Sequence, residues 1–172
     1  DCYTGEKVEV TIRGTTIENV TSIDTKEELP YIGYGMVDIQ VNGYHGIDYS
    51  SGKVTTEQLW EIVRHLAAHG VTQHFPTLIS STRDEMKNTV RTIAEAVEAD
   101  SLLSEAIPGI HLEGPYLSDI DGPRGAHGKK FVRDADIEEF DAIHEESGSR
   151  IRLITIAPER HGAMDLIRYA RK

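Results

Sequence analysis

The sequence has little of several features on which whole classes of protein depend. Cys2 is the only cysteine in 172 residues, so an internal disulfide is excluded and a reducing compartment such as the cytoplasm is expected. No apolar run approaches the ~20 residues that cross a bilayer. The N-terminus also lacks the basic-then-apolar order of a signal peptide. We therefore expect neither a membrane span nor a secretory leader.

Positive charge is scarce as well. The sequence has 18 lysines and arginines against 29 aspartates and glutamates, and its formal net charge is -11. Binding to nucleic acid needs a positive field that displaces counterions, so we expect no nucleic-acid partner. An anionic small ligand would need a local basic patch.

The pattern of polar and apolar residues changes near residue 35. Residues 7–24 alternate β-branched with polar side chains around Gly14, which predicts two short antiparallel strands outside the main body. From Gly35 onward, apolar runs alternate with amphipathic stretches. The predicted strands cover 35–43, 71–77, 106–114 and 151–159, and the predicted helices cover 55–70, 81–99, 134–146 and 161–172. We therefore divide the chain into residues 1–34 and 35–172.

Alternation of strands and helices predicts βαβ units with a parallel sheet. The absence of a glycine-rich phosphate-binding motif favours a (β/α)₈ barrel over a Rossmann sheet. A full barrel needs about 200 residues or more, so residues 35–172 are expected to form only the first half of one. The apolar strand residues expected to face its interior are Val37, Ile39, Val41, Ile110, Leu112, Ile154 and Ile156.

The active sites of such barrels lie at the C-terminal ends of the strands. The polar residues at those predicted ends are Gln40, Asn42, His74, Thr77, Glu113 and Glu159. Gln40 and Asn42 are two apart in a strand, so both point to one face, where buried polar groups need partners or ligands. His74 and His111 lie within strands, and packed, hydrogen-bonded imidazoles are expected there.

Four groups of segments occur in a fixed order: GMVDIQVNGYHG, VTQHFPTLISS, GIHLEGPYLS with GPRGAHGKKFVR, and ITIAPE. Together they resemble the N-acetylglucosamine-6-phosphate deacetylases of the amidohydrolase superfamily, over the N-terminal half of the usual enzyme. The resemblance implies a metal-dependent hydrolase with a TIM-like barrel, to which residues 1–34 add strands of a small β-sandwich. It also implies a cytoplasmic enzyme of amino-sugar catabolism that is a homodimer in its full-length form.

The resemblance further implies that Glu113 is a metal ligand and that Gln40 and Asn42 form part of the substrate wall. Many amidohydrolases carry His-x-His where this chain has Gln40-Val41-Asn42. Amides are poor zinc ligands beside imidazole or carboxylate, so one divalent ion is expected, with zinc favoured over iron, manganese and cobalt. Two other readings stay open at this point. A carboxylate at a strand end is often only solvated, and the two amides could simply bond each other.

The loop 122–133 is a candidate for the local basic patch. Its cations are Arg124, Lys129, Lys130 and Arg133. By resemblance, the backbone of Ala126 and the side chain of His127 contact the amino-sugar phosphate, although Gly128 stands where the family often has asparagine. The alternative is that the four cations belong to a solvated surface loop.

The implied reaction hydrolyses the N-acetyl group of N-acetylglucosamine-6-phosphate to glucosamine-6-phosphate and acetate. A metal activates water, and a carboxylate moves the proton to the leaving amine. The family places that aspartate and two histidine ligands after later strands, so we expect no catalytic residue within 1–172. One alternative is another amidohydrolase, dihydroorotase-like or deaminase-like, which the missing histidine pair disfavours. Another is a non-catalytic fragment that binds a sugar phosphate or is purely structural.

Overall fold

The computed structural model describes residues 1–171 and divides into two compact units. The first, Asp1–Gly35, contains the antiparallel hairpin of β1 (Val8–Arg13) and β2 (Thr16–Ser22). This is the pair of strands that the period-2 pattern predicts. All residues of β2 are exposed, so within this unit the hairpin leaves that strand without a buried face.

The second unit begins at Met36 and contains the strand–helix alternation. Its elements are β3 (Met36–Val41), β4 (Gly43–Tyr44), β5 (Ile47–Asp48), a 3₁₀ turn (Tyr49–Ser51), α1 (Thr56–Ala68), β6 (Val71–Ile79), α2 (Arg83–Ala99), α3 (Ser101–Ala106), β7 (Ile110–Glu113), α4 (Ile137–Glu146), β8 (Ile151–Thr155) and α5 (Ala163–Ala170). Four of the strands form a parallel sheet in the order β3-β6-β7-β8. The predicted α/β class with a parallel sheet is confirmed.

The two longest helices begin where the sequence offers strong N-caps. Thr55 and Gln58 form a reciprocal capping box at the start of α1, and Thr82 and Glu85 do so at the start of α2. Each box satisfies backbone N–H groups that the first helical turn leaves without partners. Both helices bury an apolar face in the core that also contains the β7 side chains. They thereby hold the strands whose ends carry the candidate site.

The prediction that Val41, Ile110 and Leu112 face the interior of the barrel was wrong. Successive strand residues point to opposite faces, and on β7 Ile110 and Leu112 are fully buried in the core. Glu113 and His111 therefore point the other way. Val41, adjacent to Gln40, is likewise buried with the core residues. These three apolar residues pack on the helical side, whereas Val37 and Ile39 on β3 are exposed.

Some element boundaries also differ from the prediction. The strand predicted at 106–114 begins only at Ile110, because Ala106 ends α3. Asp100 caps that helix by accepting hydrogen bonds from two backbone N–H groups, and the sequence pattern did not reveal so short a helix. The hairpin of β4 and β5 was also not predicted. No helix among residues 1–171 is long and apolar enough to cross a membrane.

Candidate metal and substrate site

Glu113 lies at the end of β7 and receives two amide donors from the first strand of the sheet. Gln40 Nε2 donates to Glu113 Oε2 at 3.2 Å, and Asn42 Nδ2 donates to the same oxygen at 3.0 Å. Since β6 lies between β3 and β7, both amides reach across a strand to meet the carboxylate. The reading in which the amides only bond each other is therefore not what the structure shows.

His127 approaches the other oxygen of this carboxylate. Its Nε2 lies 3.6 Å from Glu113 Oε1, which is too long for a direct hydrogen bond. The side chains of Glu113 and His127 are 19% and 9% exposed. In this site one carboxylate oxygen is thus held by amides and the other faces an imidazole.

The far side of the His127 ring contacts the end of β6. Ser80 presents its backbone N–H at 3.3 Å and its hydroxyl at 2.9 Å from His127 Nδ1. Ala126, the neighbouring predicted contact, is exposed. Ser80 was not among the predicted site residues. Its position directly after a strand end was the only signal in the sequence that could have identified it.

His74 and Thr77 were both expected near the site, and only Thr77 points toward its face. His74 is buried on the helical side, with its Nε2 2.9 Å from the Tyr49 hydroxyl. Burial lowers the pKa of His74 to about 4, although the charge of Asp38 opposes the shift. The ring is therefore a neutral packed imidazole at physiological pH, as predicted.

His111 shares the face of Glu113 but is fully engaged with threonines. The Thr77 hydroxyl donates to a backbone carbonyl, so at 3.2 Å it accepts from His111 Nδ1. His111 Nε2 then accepts from the Thr155 hydroxyl at 2.8 Å. Burial lowers the pKa of His111, against the opposing charge of Glu113. This histidine is a packed, hydrogen-bonded residue, as the sequence predicts.

The cations of loop 122–133 do not form one free basic patch. Arg133 makes a forked ion pair with Glu139, with N–O distances of 2.9 and 2.8 Å, and Arg124 pairs with Asp121. The remaining cations of the loop, Lys129 and Lys130, are exposed. Half of the expected positive charge is therefore neutralised locally, and Arg133 fixes the end of the loop rather than facing a ligand.

The residues present fit part of a metal site. Within residues 1–171, no group of three or more His, Cys, Asp or Glu side chains is arranged to hold a metal ion. Glu113 nevertheless suits a hard divalent cation, because it is a partly exposed carboxylate whose salt-bridge partner in the described chain is only the histidine at 3.6 Å. The chain thus offers one ligand and not a complete set. Glu159, at the end of the predicted fourth strand, is exposed.

Comparison with curated proteins gives a consistent result. No family model matches the chain. It is 32% identical to the N-acetylglucosamine-6-phosphate deacetylase of Bacillus subtilis, over 78% of this chain and 34% of the relative. The human protein of the same name is 31% identical, over 78% of this chain and 32% of that protein. An N-acetylgalactosamine-6-phosphate deacetylase of Escherichia coli O157:H7 is 25% identical, over 91% of this chain and 40% of its own length.

Solved structures agree with the curated relatives. The N-acetyl-D-glucosamine-6-phosphate deacetylase of Mycobacterium smegmatis superposes with a TM-score of 0.75 at 28% identity, over 92% of this chain and 41% of that one. A mutant of that enzyme in complex with N-acetyl-D-glucosamine-6-phosphate gives 0.73 at 26% identity over the same shares. The chain spans about a third of the length of the first curated relatives it matches. The chain is thus similar to the N-terminal portion of the N-acetylglucosamine-6-phosphate deacetylases.

Proposed function

We propose that this chain is part of a longer hydrolase, here called the parent enzyme. The parent enzyme removes the acetyl group of N-acetylglucosamine-6-phosphate, giving glucosamine-6-phosphate and acetate in amino-sugar catabolism. The observation that carries the proposal is the convergence of Gln40, Asn42 and His127 on Glu113, in a chain whose relatives carry that enzyme's name. The activity is assigned to the parent enzyme because the chain spans about a third of those relatives.

The proposal includes the architecture of the parent enzyme. The sheet β3-β6-β7-β8 is the first half of a TIM-like barrel, and residues 1–34 contribute strands to a small β-sandwich. Two observations support the barrel. The parallel strands follow one another in chain order. Val37 and Ile39, on the edge strand β3, are 54% and 58% exposed, whereas parallel strands are normally covered on both faces.

The metal centre is the second part of the proposal. The parent enzyme would hold one divalent ion, with zinc favoured over iron, manganese and cobalt, and Glu113 would be one of its ligands. When bound, such an ion supplies an activated water and polarises the amide carbonyl. Gln40 and Asn42 hold Oε2 of Glu113, so the carboxylate is oriented before any ligand arrives. An oriented ligand costs less conformational entropy on binding.

The substrate contacts of the proposal are those that the family resemblance implies. His127 lies beside Glu113, and Ala126, its neighbour in the chain, is exposed. Lys129 and Lys130 are both exposed, so their charges are available to an anionic ligand such as a sugar phosphate. The resemblance also supports a homodimeric parent enzyme, and the single cysteine supports a cytoplasmic one.

A second substrate has an observation of its own. The relative named for N-acetylgalactosamine-6-phosphate matches 91% of this chain, a larger share than the 78% of the first glucosamine-type relative. The two sugars differ only in the configuration of one hydroxyl, so the same hydrolytic chemistry would serve both. The glucosamine form is preferred here because the relatives of that name are more similar to this chain.

The test measures acetate release by the purified parent enzyme from both sugar phosphates and from unphosphorylated N-acetylglucosamine. We expect the highest kcat/KM on N-acetylglucosamine-6-phosphate, loss of activity after chelation, and recovery when zinc is restored. Equal rates on the phosphorylated and unphosphorylated sugars would contradict a phosphate site. No acetate release from any of the three would refute the proposed reaction.

A further inference from the structure

We propose that Ser80 is a positioning residue that fixes the orientation and the tautomer of His127. The inference rests on the proposed function, in which His127 contacts the substrate. It concerns a residue that the sequence pattern does not single out. Ser80 follows β6 directly and is 3% exposed, so its contacts are shielded from competing water.

Ser80 and His127 are in direct contact. Ser80 contacts His127 Nδ1 through two groups: its backbone nitrogen lies 3.3 Å away and its hydroxyl oxygen 2.9 Å away. Ser80 and His127 are 47 residues apart in the chain, so the contact joins the end of a core strand to loop 122–133. A ring held at one nitrogen by a rigid strand end has its other nitrogen aimed in a fixed direction.

The contact with Ser80 also determines which ring nitrogen of His127 carries the hydrogen. A backbone N–H can only donate, so Nδ1 must present its lone pair to Ser80. In the neutral ring the hydrogen is therefore on Nε2, the atom 3.6 Å from Glu113 Oε1. His127 consequently offers a donor to the pocket. A donor suits an oxygen atom of a sugar phosphate and does not suit direct ligation of a metal ion.

Gly114 provides the space that the Ser80 hydroxyl occupies. A Cβ atom placed on Gly114 would lie 2.4 Å from Ser80 Oγ, and Gly114 has a φ of +85°. Only glycine combines that backbone conformation with such a close approach. The residue that follows the proposed metal ligand therefore leaves room for the hydroxyl that positions His127. Gly114 is thus bonded to Glu113 in the chain and packs against Ser80 in space.

The chain also supplies a matched control. Ser81 is the next residue and is equally buried, at 5% exposed. Its hydroxyl has no hydrogen-bond partner in the part of the chain that the structure describes. Ser81→Ala removes the same atom from the same region without touching the imidazole.

The experiment combines nitrogen NMR with kinetics on the parent enzyme labelled with ¹⁵N-histidine. A His127→Gln variant identifies the ring signals. We expect wild-type His127 to show a pyridine-like Nδ1 and a pyrrole-like Nε2. In Ser80→Ala the two nitrogen shifts should move toward each other, because the ring loses its stronger restraint. The kcat/KM on N-acetylglucosamine-6-phosphate should fall about five- to tenfold, as for one lost neutral hydrogen bond. Ser81→Ala should match wild type in both measurements.

Each contrary outcome has a distinct meaning. A pyrrole-like Nδ1 in the wild type would overturn the inference. Unchanged ring shifts and unchanged kcat/KM in Ser80→Ala would overturn it as well, even if that variant melts at a lower temperature. The predicted spectra in a wild-type enzyme that releases no acetate would support the positioning of His127 and overturn only the proposed function.

Discussion

Substituting Gly114 with alanine tests the close approach on which the geometry of the site depends. The added Cβ would lie 2.4 Å from Ser80 Oγ and 3.1 Å from Leu117 Cδ1. Ser80 is buried, so its hydroxyl can move only by displacing other atoms. Overpacking of this kind costs about 1–3 kcal/mol. The positive φ adds about 1–2 kcal/mol for any residue with a Cβ.

Gly125 separates these two contributions. It also has a positive φ, of +60°, but a Cβ there would meet nothing within 4 Å. Gly125→Ala should therefore lose only the ~1–2 kcal/mol of backbone strain, whereas Gly114→Ala should lose about 2–5 kcal/mol in all. The free energy of unfolding is measured by urea titration of the parent enzyme, followed by circular dichroism.

A double mutant identifies the atom responsible. The double mutant Gly114→Ala with Ser80→Ala has no clashing hydroxyl. Its loss in free energy of unfolding should therefore be smaller than the sum of the losses in the two single mutants. Equal losses in the two single glycine variants would refute the claim that Ser80 fills the space at Gly114. Strict additivity in the double mutant would refute it too.

Three further predictions address the rest of the chain. His74 has a pKa of about 4 in the folded protein, below the ordinary 6.5, because burial disfavours its charged form. The unfolded chain therefore takes up the proton first as the pH falls, and the stability contributed by neutral His74 is present above pH 6.5 and is lost toward pH 4. Between pH 7 and 5 the free energy of unfolding should fall by about 2 kcal/mol through this residue. In His74→Gln the fall over the same pH range should be smaller by that amount. An unchanged pH dependence would contradict the assignment. The 172-residue chain alone should show no deacetylase activity, because the family resemblance places the catalytic aspartate and two histidine ligands after later strands; metal-dependent acetate release by the pure chain would overturn this. The same chain should self-associate, because β3 and β8 are sheet edges with unpaired backbone groups and Val37 and Ile39 are exposed; light scattering that shows a cooperatively melting monomer of 19.1 kDa would show the argument wrong.

The order of strands and helices could be predicted because local signals agreed with the fold. Threonine caps precede α1 and α2, and apolar residues recur at helical spacing within both helices. The faces of the strands could not be predicted in the same way. Strands of a parallel sheet are apolar on both sides, so Leu112 gives no indication of its direction. The alternation with Glu113 was the better guide, because a carboxylate cannot be buried among the aliphatic residues of the core without a partner.

The candidate site was only partly visible in the sequence. The resemblance named four of the members that the structure brings together, Gln40, Asn42, Glu113 and His127. The contact of Ser80 with His127 depends on how a loop returns to a strand end, and no local pattern encodes that return. The basic loop was misjudged for a related reason. Arg133 looks free in the sequence, and its partner Glu139 becomes apparent only when α4 packs beside the loop.

The most direct test of the account is the metal content of the parent enzyme in two glutamate variants. Glu113→Gln keeps the shape of the side chain but removes the charge that a divalent cation requires. Glu159→Gln makes the same change at an exposed carboxylate beyond the end of β8 and is the control. Elemental analysis should find about one metal ion per subunit in wild type and in Glu159→Gln, and a large loss in Glu113→Gln with an unchanged circular dichroism spectrum. Full metal content and a full rate of acetate release in Glu113→Gln would contradict the central claim.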